Sequence, residues 1–234
     1  MELKNKTAII TGASKGIGKA IALTLAEQGA NVTISARSEK LLQGVAAEIE
    51  KRGGKAHIFC GDMRDEQDIK AMIAGTVEAF GGIDVLVNNA GLGHFAPVAD
   101  LTTAQWDEMF DLNTRGVFLA TREALPHLRK AGESAVINVA SLAGKNAFVG
   151  GGGYAATKHA LLAFSRCLML EERKNGLRVL AICPGSVATE FSQQSPEKKA
   201  RIIQSQDVAN SILHMLKLPQ NAMVSEIDIR PSNP

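Results

Sequence analysis

The stretch Thr7-Ala8-Ile9-Ile10-Thr11-Gly12-Ala13-Ser14-Lys15-Gly16-Ile17-Gly18 decides the fold. A short β-branched apolar run leads into glycines spaced G-x-x-x-G-x-G, and a helix-period segment begins at Ile17. A strand that feeds a glycine turn straight into a helix opens a βαβ unit. The first helical N–H groups have no partner within the helix, and the dipole places partial positive charge there, so the turn suits a pyrophosphate. Gly12, Ser14, Lys15, Gly16, Ile17 and Gly18 are therefore candidate nucleotide-binding residues. Glycines before a helix also serve tight turns. The phosphate reading is favoured here because the turn follows the first strand, where doubly wound sheets bind their ligands.

Outward from this unit the chain keeps alternating β-branched runs with longer helical segments, the pattern of a parallel sheet covered on both faces. The patterning predicts strands at Thr7–Thr11, Asn31–Ser35, Lys55–Cys60, Asp84–Asn88, Ala135–Ala140, Arg178–Cys183 and Ser225–Ile229. Helices are predicted over Ile17–Gln28, Ser38–Arg52, Glu66–Phe80, Thr103–Lys130, Tyr154–Lys174 and Ser205–Leu216. Gly29, Gly53 and Gly81 follow the first three helices, where a left-handed residue that ends a helix costs glycine least. The expected fold is α/β, one domain over residues 1–234, with a doubly wound parallel sheet.

Composition sets outer limits. Apolar residues are 45% and charged residues 21%, ordinary globular values that exclude a disordered tail protein. No apolar run approaches the ~18 residues of a spanning helix, and no partner membrane is expected. The first residues lack the apolar core of a secretion signal, so a cytoplasmic location is expected. The three cysteines, Cys60, Cys167 and Cys183, are scattered, support neither disulfides nor a metal site, and read as small buried hydrophobes. A net charge of +2 spread along the chain gives no reason to expect nucleic acid. Lys198, Lys199 and Arg201 cluster, as on a solvated helix face.

Cofactor choice turns on the end of the second strand, ~20 residues past the glycine turn, where a carboxylate would hold a ribose 2′-hydroxyl. The residues there are Ser35, Ala36 and Arg37. Arg37, with Lys15 in the turn, suits a 2′-phosphate, so NADP(H) is expected rather than NAD(H); the other reading of Arg37 is a solvated charge. Asp62, just past the third strand, is placed to accept from an adenine amino group, or serves local turn chemistry.

At the chemical end, Tyr154 and Lys158 are four apart on a helical stretch and project from one face. A neighbouring ammonium favours the phenolate, so a lowered Tyr154 pKa and a general acid/base are expected. Ser141 ends the fifth strand and would hydrogen-bond a carbonyl oxygen in the same crevice. Asn113 is a poor helix former inside a long helical segment and needs a local reason to be there, unless it is simply exposed. His94 is either structural or faces the substrate, and the four glycines Gly150 to Gly153 leave room or mobility beside Tyr154.

Taken jointly, Asn88-Asn89-Ala90-Gly91, Ser141 with twelve residues before Tyr154, Tyr154-x-x-x-Lys158, and Pro184-Gly185 followed by Thr189 resemble the short-chain dehydrogenase/reductase superfamily. The resemblance runs from Thr7 to Thr189 and is nearest to bacterial 3-oxoacyl carrier protein reductases and smaller carbonyl reductases. It implies a Rossmann-type sheet of order 3-2-1-4-5-6-7 and a tetrad of Asn113, Ser141, Tyr154 and Lys158. It further implies that Tyr154 protonates the substrate oxygen, that Ser141 polarises it, that Lys158 also binds the nicotinamide ribose, and that Asn113 positions a water. Asp62 with Met63, Asn89 with Ala90 and Gly91, and Pro184, Gly185, Val187 and Thr189 would line the cofactor. A homotetramer or homodimer is also implied.

Two departures bear on substrate. The tail from Glu226 to Pro234 is short and lacks the Gly-Gly turn of many members, and the segment Phe191 to Ser205, where the family's lid sits, is brief and polar. A steroid-sized substrate is not expected. The reading is reduction of a ketone, a 3-oxoacyl thioester first, with a general small carbonyl or diketone reductase as alternative. An acyl carrier protein would need a basic surface, to which Arg129, Lys130, Arg173 and Lys174 would contribute. The alternatives of another kind are an NADPH-binding regulatory protein without turnover and an NAD-linked alcohol dehydrogenase. Tyr154 and Lys158 speak against the first, and the missing carboxylate at residues 35 and 36 speaks against the second.

Overall fold

The computed structural model describes residues 1–191 and 194–232. Ser192 and Gln193 of the lid segment, and Asn233 and Pro234 of the tail, lie outside the described residues. The strands are β1 (Thr7–Thr11), β2 (Asn31–Ala36), β3 (Lys55–Cys60), β4 (Val85–Asn88), β5 (Ser134–Val139), β6 (Leu177–Pro184) and β7 (Glu226–Ile229). They form one sheet in the order β3-β2-β1-β4-β5-β6-β7, every pairing parallel. β1, β4, β5 and β6 are buried along their whole length, which is why they read as continuous apolar runs rather than alternating ones.

Helices α1 (Gly16–Glu27), α2 (Glu39–Lys51) and α8 (Ser205–Lys217) cover one face, packing Ile21, Leu25, Leu42, Ile49, Ile212 and Met215 into one core cluster. The other face carries α3 (Glu66–Phe80), α4 (Thr103–Phe110), α5 (Val117–Lys130) and α6 (Gly152–Glu172), with Ile69, Met72, Leu119, Leu128 and Leu168 in the second cluster. Gly29, Gly53 and Gly81 stand at φ +84°, +79° and +84°, the left-handed values expected where those helices stop. Among the described residues no helix is long and apolar enough to cross a membrane.

Three expectations need correction. The segment Thr103–Lys130 is not one helix: α4 and α5 are separated by a π-helical turn, Asp111–Gly116. The wide turn is permitted by Gly116, where any side chain would collide with the Met63 carbonyl oxygen, and it carries Asn113 to full burial. The lid segment contains a short helix, α7 (Pro196–Arg201), started by Pro196 at its first position and a Ser195 side chain that accepts from Lys198 N at 3.3 Å. Of the cysteines only Cys183 is buried. Cys60 ends the edge strand β3, and Cys167 lies on the outer face of α6, so neither has a second layer to cover it.

The strand order reverses between β1 and β4, and the turns after β1, β2, β4, β5 and β6 all emerge from the carboxyl edge. That edge therefore gathers Gly12, Arg37, Asn89, Ser141 and Gly185, which lie far apart in sequence.

Candidate active site

The glycine turn is fixed from outside itself. Thr11 Oγ1 accepts from the main-chain N–H groups of Asn89 and Ala90, both at 3.0 Å, and the Asn89 amide donates to the carbonyls of Thr11 (2.9 Å) and Gly12 (3.1 Å). Asn89 thus spends its side-chain donors on holding the turn against β4. Gly12 and Gly16 take φ of +66° and +56°, and a side chain at Gly18 would collide with the Gly12 carbonyl. No side chain caps the start of α1, so its first N–H groups remain free to receive an anion. Lys15 and Arg37 are exposed and have no ion-pair partner among the described residues. A cradle closed to any Cβ, an uncapped helix start and two free cations fit a pyrophosphate and a further phosphate at the ribose end.

Other segments come to the same turn. A methyl at Gly16 would stand 3.2 Å from Thr189 Cγ2, which places the post-β6 loop over the start of α1. Val187 is buried and bridges Ile203, and Gly185 N donates to Ile229 O at 2.8 Å, so β7 and the start of α8 hold that loop in place. Met63 is 6% exposed and packs in the core under Gly116. Asp62 is gripped by Arg64 through two side-chain nitrogens, Nε at 3.0 Å and NH2 at 2.6 Å, and this bond is the first cause holding its carboxyl below the usual range.

Asn113 does have a local reason for its place. Its Oδ1 accepts from Leu92 N at 2.9 Å, and its Nδ2 donates to Leu92 O at 2.8 Å and to Thr157 Oγ1 at 3.1 Å. Thr157 in turn donates to the Tyr154 carbonyl at 2.8 Å. A buried amide thus ties the loop after β4 to the first turns of α6. The sequence reading missed Thr157 and Thr11, whose only signal was that each adjoins a named motif.

Lys158 is 5% exposed, and its ammonium donates to the Val139 carbonyl at 2.9 Å. It also lies 5.7 Å from the centre of the Tyr154 ring, and a methyl at Gly91 would stand 3.7 Å from Nζ. The expected lowering of the Tyr154 pKa is not what this chain shows. Burial pushes the phenol up to about 12, with a hydrogen bond from Ser141 as the opposing influence. Burial likewise pulls the Lys158 ammonium down to about 8. Desolvation penalises the charged form of each group, phenolate and ammonium, and it is the largest influence on both. The result is a protonated phenol held beside a hydroxyl and a buried amine. That is the state an acid must be in to donate a proton.

His94 is held by a carboxylate. Its Nε2 lies 2.8 Å from Glu108 Oε2, and Glu108 Oε1 accepts from Arg64 NH1 at 2.9 Å. The four glycines do not leave open space throughout. The ring of Phe148 fills the place of a Gly151 side chain, and Met109 and Leu101 fill that of Gly153. Of three phenylalanines that the sequence reading did not single out, Phe95 and Phe191 stand against Tyr154 and Phe148 stands against Phe95. The surface suggested for a carrier protein is on the other side of the molecule: Arg129, Lys130, Arg173 and Lys174 follow α5 and α6 towards the amino ends of β5 and β6. Arg129 is moreover committed to Glu172, with Nε at 2.9 Å from Oε2.

A doubly wound sheet with an anion cradle at its switch point and a serine, tyrosine and lysine at the same edge defines a nucleotide-dependent oxidoreductase by class. A family model described as short chain dehydrogenase matches residues 6–200, and the chain belongs to that family. An uncharacterized oxidoreductase of Staphylococcus epidermidis is 32% identical over 230 residues, covering 98% of this chain and 99% of that one. Among solved structures, an alcohol dehydrogenase from the archaeon Thermococcus sibiricus, complexed with 5-hydroxy-NADP, is 31% identical, covers 97% of both chains and has a TM-score of 0.90. A metagenomic short-chain oxidoreductase in complex with NADP is 33% identical over the full length of both, with a TM-score of 0.88.

Proposed function

We propose that this oxidoreductase uses NADP(H) to reduce a ketone to a secondary alcohol, with Tyr154 as the general acid. The observation that carries the reading is the half-buried Tyr154 ring with the buried Lys158 ammonium 5.7 Å from its centre, at the same sheet edge as Ser141 and the anion cradle. The cofactor choice rests on Lys15 and Arg37, the free cations at the phosphate end, and on the two NADP-type complexes among the similar structures. Gly12 to Gly18 and Arg37 would bind its phosphates, Asp62 its adenine, and Val187 with Thr189 its carboxamide. When bound, NADPH supplies hydride to the carbonyl carbon.

The chain's own residues do the rest. Ser141 would orient the carbonyl oxygen, and the Tyr154 phenol would give up its proton as the C=O π bond becomes an O–H bond. Lys158 would stabilise the phenolate left behind and hand on the proton that restores it. Asn113 would act as a positioning residue, since its amide is fully used on Leu92 and Thr157.

For substrate, the sequence puts a 3-oxoacyl thioester first and a general small carbonyl or diketone second, and the second is the reading carried forward. The carrier protein loses support, because the basic residues that would dock it sit at the edge opposite Tyr154. We further propose a homodimer or homotetramer: Phe118 of α5 and Leu170 of α6 are 45% and 58% exposed, large apolar side chains that a second copy would cover.

The test is NADPH oxidation by the purified protein with acetoacetyl thioester beside small diketones, aldehydes and quinones. Turnover that needs Tyr154 supports the proposal. NADPH binding without turnover on any carbonyl would move the regulatory reading to the front.

A further inference from the structure

We infer that Phe95, Phe148 and Phe191 form an aromatic collar that selects a planar ring-bearing ketone over a straight-chain one. This rests on the reading of Tyr154 as the acid.

The three rings come from three separate loops. Phe95 follows β4, Phe148 precedes α6, and Phe191 follows β6. Phe95 meets Tyr154 edge to face at 5.4 Å between centroids, Phe191 meets Tyr154 at 5.7 Å, and Phe95 meets Phe191 at 6.1 Å and Phe148 at 6.0 Å. Glycines make this convergence possible. A methyl at Gly93 would stand 2.8 Å from Phe95 Cζ and 3.0 Å from Phe191 Cζ, and one at Gly151 would collide with the Phe148 ring. The loops of Phe95 and Phe148 are stitched together by Ala96 N donating to Gly150 O at 3.0 Å.

Yet each of the three rings remains about half exposed: 51%, 47% and 47% for Phe95, Phe148 and Phe191. Exposed apolar clusters of this kind mark a place where something apolar docks. Because two of the rings touch Tyr154, the occupant that fits is the group attached to the carbonyl being protonated. Inclined ring faces of 47° to 81° offer stacking and edge contacts, which a flat ring exploits better than a flexible chain.

The experiment compares kcat/KM for acetophenone, butane-2,3-dione, acetoacetyl thioester and an aldehyde bearing a trimethylammonium group, in the wild type and in Phe95→Ala, Phe191→Ala and Gly151→Ala. The expected result is a preference for acetophenone that falls about 10-fold relative to butane-2,3-dione in each variant, the size of loss a displaced stacking partner gives. Calorimetric binding of 1-phenylethanol to NADP-loaded Tyr154→Phe, and its weakening when Phe191→Ala is added, gives a second readout without turnover. A wild type that prefers the thioester or the cationic aldehyde overturns the collar but leaves the reductase reading intact. Equal losses on all substrates do the same, since the rings would then only support Tyr154. No oxidation of NADPH with any of the four overturns both readings.

Discussion

The Lys158 ammonium donates at 2.9 Å to the main-chain carbonyl of Val139, the last residue of β5 and two residues before Ser141. The bond crosses from α6 to the end of β5 and sets how far the Tyr154 side of the helix stands from the serine. It also holds a positive charge in a place with 5% exposure, with burial pulling its pKa from 10.5 to about 8. A displacement of that size costs about 3 kcal/mol at ~1.4 kcal/mol per unit.

Lys158→Met should therefore abolish turnover while raising stability at pH 7. Removing the charge gains about 3 kcal/mol, and leaving the Val139 carbonyl unpaired loses ~1–2 kcal/mol, so a net gain of about 1–2 kcal/mol is expected in urea unfolding. Between pH 8 and 10.5 the unfolded wild type binds a proton that the folded chain has released, so wild-type stability rises with pH and the gap to the variant closes. Above pH 10 the sign reverses for Tyr154, because the unfolded phenol ionises first and the folded one only near 12. A variant less stable than wild type at pH 7 would show that the buried ammonium is not a cost.

Tyr154→Phe should keep NADPH affinity within a few-fold and cut kcat by at least ~10², as loss of a general acid does. Near-normal turnover, read from NADPH absorbance, would remove the phenol from the mechanism.

Arg37 is exposed and has no ion-pair partner among the described residues, and it is close enough to Asp62 and Glu108 to lower both carboxyls. Arg37→Asp should weaken NADPH binding by ~10-fold or more and NADH binding much less, because a like charge then faces the 2′-phosphate. Fluorescence titration with both nucleotides decides it, and equal losses would sink the specificity argument.

Asn113→Ala removes three hydrogen bonds at a fully buried position and strands the N–H and C=O of Leu92. A loss of ~2–4 kcal/mol in unfolding free energy is expected, as when buried polar groups lose their partners. Asn113→Asp keeps the acceptor but loses both donor bonds and buries a charge, so it should be no better. Wild-type stability in Asn113→Ala would mean that the π-turn does not depend on its amide.

Much of this protein was legible in its sequence because the signals were local or repeated. The apolar runs predicted seven strands within one or two residues, since a strand buried on both faces leaves no polar position to blur it. Gly29, Gly53 and Gly81 were readable as helix ends because only glycine takes positive φ cheaply. The Tyr154–Lys158 spacing placed both side chains on one face of α6, whatever that face met.

What the tertiary structure alone decided are the relations between distant segments. The lowered phenol pKa expected from a neighbouring lysine became a raised one, because burial depends on which layers close over α6 and no sequence window reports that. Asn113 looked out of place in a helix until the π-turn brought it to Leu92 and Thr157. The basic residues gathered for a carrier protein lie at the edge of the sheet opposite Tyr154, since helices running antiparallel to the strands carry their ends away from the site. The aromatic collar belongs to this class too: Phe95, Phe148 and Phe191 have no common motif, and only the carboxyl edge of a parallel sheet brings their three loops together. Sequence fixes what each segment is through short-range sterics and hydrophobic period; which segments share an environment is set by long-range packing.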